Sequence, residues 1–208
     1  MDTLTALQWR YAVKKFSTNT LSNEQIMLLA QSTRLSPSAF GLQPFKLIVV
    51  SDQAIKTKLL SHSFGQDKVA NCSHLFVLAH YIGEPEYLID TYFQQYCSQK
   101  NASESDVAAY RQQVEQYIMA LDKGAFTQWA KEQTYLALGT LLTSAAINNI
   151  DSCPMTGIDP QGFDEELKLI DSAYRTTVIC PLGFRDEDDK YAYQQKVRTP
   201  YEEFVEVI

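Results

Sequence analysis

Gln43-Pro44-Phe45-Lys46-Leu47-Ile48-Val49-Val50 reads as a buried strand entered through a proline, which at the first strand position costs no ladder donor. Upstream of it, Ser22 and Gln25 form a capping-box pattern, with Leu21 and Ile26 spaced as a hydrophobic staple. Ile26, Leu29 and Ala30 then continue a buried stripe, so a helix is expected there. Leu4, Leu7 and Tyr11 place apolar groups on one face of a short opening helix that ends before Lys14-Lys15-Phe16. Downstream, residues 52–62 read as a helix through Ile55, Leu59 and Leu60, and Leu75 to Ile82 as a second buried strand.

The second half is more helical. Val107, Tyr110, Val114, Tyr117, Ile118 and Leu121 recur at spacings of three and four, and residues 126–149 form a long apolar helix through Trp129, Tyr135, Leu138, Leu142 and Ala146. Gly139, Thr140, Ser144 and Ala145 are small enough to let another helix approach, which suits a central core or interface helix. Asp159 is placed to cap a helix starting at Pro160, and Thr176 to Leu182 reads as a third strand. Helices interleaved with separated strands predict an α+β or α/β fold in one domain spanning residues 1–208, without repeats or linkers.

Composition narrows the function. With 25 acidic against 18 basic residues the net charge is −7, which argues against a nucleic-acid-binding surface and its contiguous basic stripe. No stretch has the length of a transmembrane helix, and Met1-Asp2-Thr3 lacks a secretory pattern, so a cytoplasmic protein without membrane contact is expected. Cys72, Cys97, Cys153 and Cys180 are spread without any C-x-x-C and read as reduced packing thiols. His62, His74 and His80 lack Cys or carboxylate partners at ligand spacing, so no metal site is expected.

Against this acidic background, cations gather at the two ends of the chain. Arg10 and Lys14 lie in Trp9-Arg10-Tyr11-Ala12-Val13-Lys14-Lys15-Phe16, and Lys196 and Arg198 in Lys196-Val197-Arg198-Thr199-Pro200; together they suggest an anion site, with phosphate the natural candidate. The G-x-G-x-x-G, Walker A and G-x-S-x-G patterns are all absent. With no evident protein nucleophile, a cofactor has to carry any demanding chemistry.

The joint order of these segments with Ser36-Pro37-Ser38-Ala39-Phe40-Gly41-Leu42-Gln43-Pro44-Phe45 and Pro154-Met155-Thr156-Gly157-Ile158-Asp159 resembles the FMN-dependent nitroreductase family over essentially the whole chain. The resemblance implies an α+β nitroreductase-like fold with a mixed, mostly antiparallel sheet, a long central helix, and an intertwined homodimer that builds each FMN site from both chains. It places Arg10, Lys196 and Arg198 at the phosphate, and Lys14 at the flavin's pyrimidine edge with Tyr11 and Ala12 beside it. Pro37, Ser38 and Ala39 would meet the flavin from the partner subunit. The backbone of Pro154, Met155, Thr156 and Gly157 would face flavin N5, Gln66 and Lys68 would meet the ring edge, and Phe40 and Tyr117 would border the substrate.

Three positions depart from many relatives: Ala12 in place of Ser, Thr156 in place of an acidic residue, and Gly65 in place of Asn. The implied activity is ping-pong reduction of nitroaromatics, quinones or other planar acceptors by NADH or NADPH. A specialised flavin reductase or an enone or aldehyde reductase is the alternative within the family. A flavin-binding module without turnover is the alternative outside it.

Overall fold

A four-stranded antiparallel sheet in the order β1-β2-β4-β3 organises the computed structural model, which describes residues 1–208. Its strands are β1 (Phe45–Val50), β2 (His74–Tyr81), β3 (Asp151–Ser152) and β4 (Tyr174–Gly183). β1 starts directly after Pro44, as the proline predicts. It is an edge strand, however, and only Val50 is fully buried while Val49 is 38% exposed. The expectation of a buried strand fails because β1 has a neighbour on one side only. The sole parallel pairing is an isolated bridge between Ala12 and Ser152.

Side chains alternate along β2 and so feed two cores. Leu75 and Val77, with Ile179 of β4, pack against Val13, Phe16, Leu59, Val69 and Phe163. Those residues come from the opening segment and from helices α3 (Gln53–Leu59), α4 (Lys68–Asn71) and α8 (Pro160–Glu166). On the other face, Phe76, Leu78, Val178 and Cys180 meet Leu29 of α2 (Asn23–Arg34) and Ala137, Leu141 and Ala145 of α7 (Lys123–Ile147). Each such large apolar side chain contributes roughly 1.5–3 kcal/mol by leaving water.

The capping box at Ser22 and Gln25 forms with both hydrogen bonds present. A second box, Ser103 with Asp106, opens α6 (Glu104–Ile118). The periodic reading missed α5 (Pro85–Lys100), which joins α6 and the first half of α7 in a third core through Leu88, Ile89, Phe93, Val114, Ile118 and Trp129.

Two further expectations need correction. In α1 (Thr3–Trp9) only Ala6 is buried; Leu4 is 66% exposed, Leu7 is also exposed, and Tyr11 lies beyond the helix end. Asp159 precedes α8 without capping it, because its carboxylate faces His62 Nδ1 at 3.3 Å. In the small-residue stripe of α7, Ser144 and Ala145 do pack against α2, with Ser144 Oγ 2.9 Å from Ser32 Oγ and Ala145 beside Leu29, whereas a Cβ on Gly139 would meet nothing within 4 Å. All four cysteines are free, no cluster of side chains suits a metal ion, and no helix is long and apolar enough to cross a membrane.

Candidate functional site

The opening cationic segment is held by a buried carboxylate. Asp189, 2% exposed, accepts hydrogen bonds through Oδ2 from Tyr11 Oη (2.9 Å), Lys14 N (2.8 Å) and Lys15 N (3.1 Å), and through Oδ1 from Tyr191 N (3.1 Å). Beside it, Arg185 grips Asp151 through two nitrogens and is flanked by the rings of Trp9 and Tyr11, 4.1 and 4.6 Å from its guanidinium carbon. Residues 9–15 are thereby fixed against the end of β4 and β3.

This arrangement leaves Arg10 without a counterion. Its Nε is buried and unpartnered, and its Nη2 reaches only the carbonyl of Tyr11 at 3.4 Å. Burial lowers its pKa, and the positive charge of Arg198 acts in the same sense. Lys196 donates to the carbonyls of Leu7 and Gln8 at the end of α1, and its pKa is lowered by burial and by the charges of Arg10 and Arg198. Three mutually repelling cations around an orphaned buried guanidinium nitrogen fit a multiply charged anion such as a phosphate.

A second set of positive charges surrounds Cys153. Burial pushes that thiol up, while the nearby charges of Lys68, Lys14 and Arg10 pull the other way. Lys14 Nζ lies 5.9 Å from the Tyr191 ring centroid. Ala12 bridges Ser152, whose hydroxyl is buried and unpartnered.

The loop that follows sorts its donors. Pro154 has no N–H, and Met155 N is committed to Ile179 O at 2.8 Å, so Met155 serves the sheet and the core. The N–H groups of Thr156 and Gly157 make no hydrogen bond within the chain and remain available. Gln66 holds the loop by donating from Nε2 to Gly157 O at 3.0 Å, and His62 O accepts from Asp159 N at 2.7 Å.

The turn from Pro37 to Phe40 lies elsewhere in the chain. Ser38 Oγ accepts from Gln43 N, Ala39 N donates to Gln133 Oε1, and Tyr110 Oη donates to Phe40 O, each at 2.9 Å. Phe40 has φ 57°, a left-handed conformation that costs a bulky residue about 1–3 kcal/mol. Its ring packs against Tyr117 at 5.3 Å, and Tyr117 is 48% exposed. No hydrogen bond or ion pair joins this turn to the cations or to the 154–157 loop.

One chain therefore brings together Arg10, Tyr11, Ala12, Lys14, Gln66, Lys68, residues 153–157, Lys196 and Arg198, while Pro37, Ser38, Ala39, Phe40 and Tyr117 form a separate group. Asp189 and Arg185 were not found from sequence. Each acts on residues more than thirty positions away, and nothing local marks them. The His62–Asp159 contact, spanning 97 residues, was missed for the same reason.

Known proteins resemble this chain in sequence and in fold. The nitroreductase family model matches residues 7–184. A protein of Staphylococcus haemolyticus named as an NAD(P)H nitroreductase is 30% identical over 216 residues, covering 99% of this chain and 96% of its own length. A nitroreductase-like protein from Streptococcus mutans has a TM-score of 0.85 at 25% identity, covering 100% of this chain and 98% of that one. The FMN complex of a protein from Exiguobacterium sibiricum named as a nitroreductase also reaches 0.85, at 17% identity and with coverage of 100% and 98%, a likeness of fold. With both sequence and fold matched nearly end to end, the chain belongs to the nitroreductase family.

Proposed function

We propose that this protein is a cytoplasmic, homodimeric FMN oxidoreductase that uses NAD(P)H to reduce nitroaromatics, quinones or related planar acceptors by a ping-pong sequence. The observation that carries this reading is the orphaned Arg10 Nε beside Lys196 and Arg198. These three residues would hold the FMN phosphate, and Lys14 and Lys68 would supply positive charge at the anionic edge of the reduced ring. The free N–H groups of Thr156 and Gly157 would donate to the ring. FMN bound there supplies the two-electron redox chemistry, with NAD(P)H as donor and the acceptor occupying the same slot in alternation.

The separate turn at Pro37–Phe40, with Tyr117, would complete the site of a second copy. The surface supports such a copy. A groove of about 640 Å³ runs beside Gly139, Thr140 and Pro37, and the tail exposes Tyr201, Phe204, Val207 and Ile208. An anaerobic titration of the purified yellow protein tests the function. NADH or NADPH should bleach the bound flavin and menadione should restore its colour, whereas bound flavin that neither donor bleaches would make the protein a binding module.

A further inference from the structure

Lys14 and Lys68 also line a second space, a polar cleft of about 890 Å³ bounded by residues 14–20, the end of β1 and residues 67–74. Four lysines face it, Lys14, Lys15, Lys56 and Lys68, against Asp67 and Asp186. Only Lys15 is paired, to Asp186 at 3.0 Å and Asp188 at 3.3 Å. Lys56 is the unusual member. It is 4% exposed, donates to Cys72 O (2.6 Å) and Ser73 O (3.2 Å), and has no carboxylate partner.

His74, at the same wall, has its pKa lowered by burial and by Lys56, which favours the neutral imidazole, so it neither adds to nor offsets the lysine charges. Lys14 and Lys68 line the cleft without a carboxylate partner, and Lys56, its ammonium held by two carbonyls inside the wall, adds a third uncompensated positive charge. In a chain with net charge −7, this cleft selects an anion. Only three of the eighteen lining residues are hydrophobic, which excludes a flat apolar acceptor. Asn19, Thr20, Ser51 and Asn71 instead offer hydroxyl and amide groups suited to a ribose. The volume falls in the range of small-molecule sites, about 300–1,000 Å³.

We infer that this cleft takes the ADP-ribose half of NAD(P)H, with Lys14 and Lys68 standing at its boundary with the FMN site. The choice of a dinucleotide rests on the proposed function. Calorimetry on the FMN-loaded protein with ADP-ribose tests it without turnover. Binding is expected, weakened about tenfold or more by the double substitution Asn19→Asp and Ser51→Asp, which adds two carboxylates at exposed positions of the wall.

The same variant should lose kcat/KM for NADH by a similar factor and keep it for 1-benzyl-1,4-dihydronicotinamide, which carries no phosphate. If the variant does not fold, competition on the wild type decides: ADP-ribose should compete with NADH and not with the benzyl donor. No binding of ADP-ribose, equal losses for both donors, or pyrophosphate binding as tightly as ADP-ribose would overturn the inference. ADP-ribose binding without oxidation of NADH would instead overturn the proposed function.

Discussion

The Tyr11 hydroxyl donates to Asp189 Oδ2 at 2.9 Å, tying the opening cationic segment to a carboxylate 178 residues away. Burial alone would raise the pKa of Asp189, but hydrogen bonds from Lys14 N, Lys15 N, Tyr11 Oη and Tyr191 N outweigh it and the net shift is downward. The carboxylate is therefore an organiser of the candidate site, and the site's cations are held by backbone geometry set from a distance.

Replacing Asp189 with Ala leaves three backbone N–H groups and a phenol without their acceptor, and each such group costs roughly 1–3 kcal/mol. Urea denaturation should show a loss of about 3 kcal/mol or more. Because the folded pKa lies below the unfolded value of about 3.9, the contribution is complete above that value and fades as the pH falls through the depressed folded value. The difference between wild type and variant should accordingly shrink in acid. A difference constant down to about pH 2 would show that the ionised carboxylate is not the source.

Local patterns carried much of the fold into view. Pro44 placed the start of β1, and Ser22 with Gln25 placed α2. The stripe Leu88, Ile89, Tyr92, Phe93 and Tyr96, opened by Pro85, held a signal for α5 that the reading passed over. Burial was less legible than pairing. Whether Leu4, Leu7 or Val49 is covered depends on neighbours, and in one chain they have few. The cations of the site stood out against an acidic sequence, but Asp189 could not, since an aspartate becomes an organiser only when remote donors converge on it.

A methyl group at position 162 should reveal the His62 packing. A Cβ there would lie 1.8 Å from His62 Nδ1, so the ring has to move and give up its contact with Asp159. Gly162→Ala should cost about 1–3 kcal/mol, the usual range for overpacking. Adding His62→Ala should recover most of it. A double variant no more stable than Gly162→Ala alone would place the strain in the backbone instead.

The groove beside α7 separates folding from association. Nothing lies within 4 Å of a Cβ at Gly139, and glycine in a helix interior is about 1 kcal/mol worse than alanine, so Gly139→Arg should not destabilise the single chain. It should block a second copy. Sedimentation of the wild type is expected to show a dimer and that of the variant a folded monomer depleted of FMN. A variant that sediments as a dimer and keeps its flavin would move the interface away from this face.

The tail cations differ in what else they hold, and that difference makes Arg198 the better probe of the phosphate. Lys196 bonds the carbonyls of Leu7 and Gln8, so its replacement also loosens the end of α1. Arg198 reaches only its neighbour's carbonyl, Val197 O at 2.7 Å, and is exposed. If it is merely solvated, Arg198→Ala should shift stability by no more than about 0.5 kcal/mol and leave cofactor affinity unchanged. If it grips the phosphate, the loss of a charge-assisted hydrogen bond of roughly 1.5–3 kcal/mol should weaken FMN binding by about tenfold to a hundredfold. Lys196→Ala combined with it should reach about a hundredfold or more. Riboflavin, which lacks the phosphate, should bind wild type and both variants alike, so an equal loss for the two flavins would place these cations away from the phosphate.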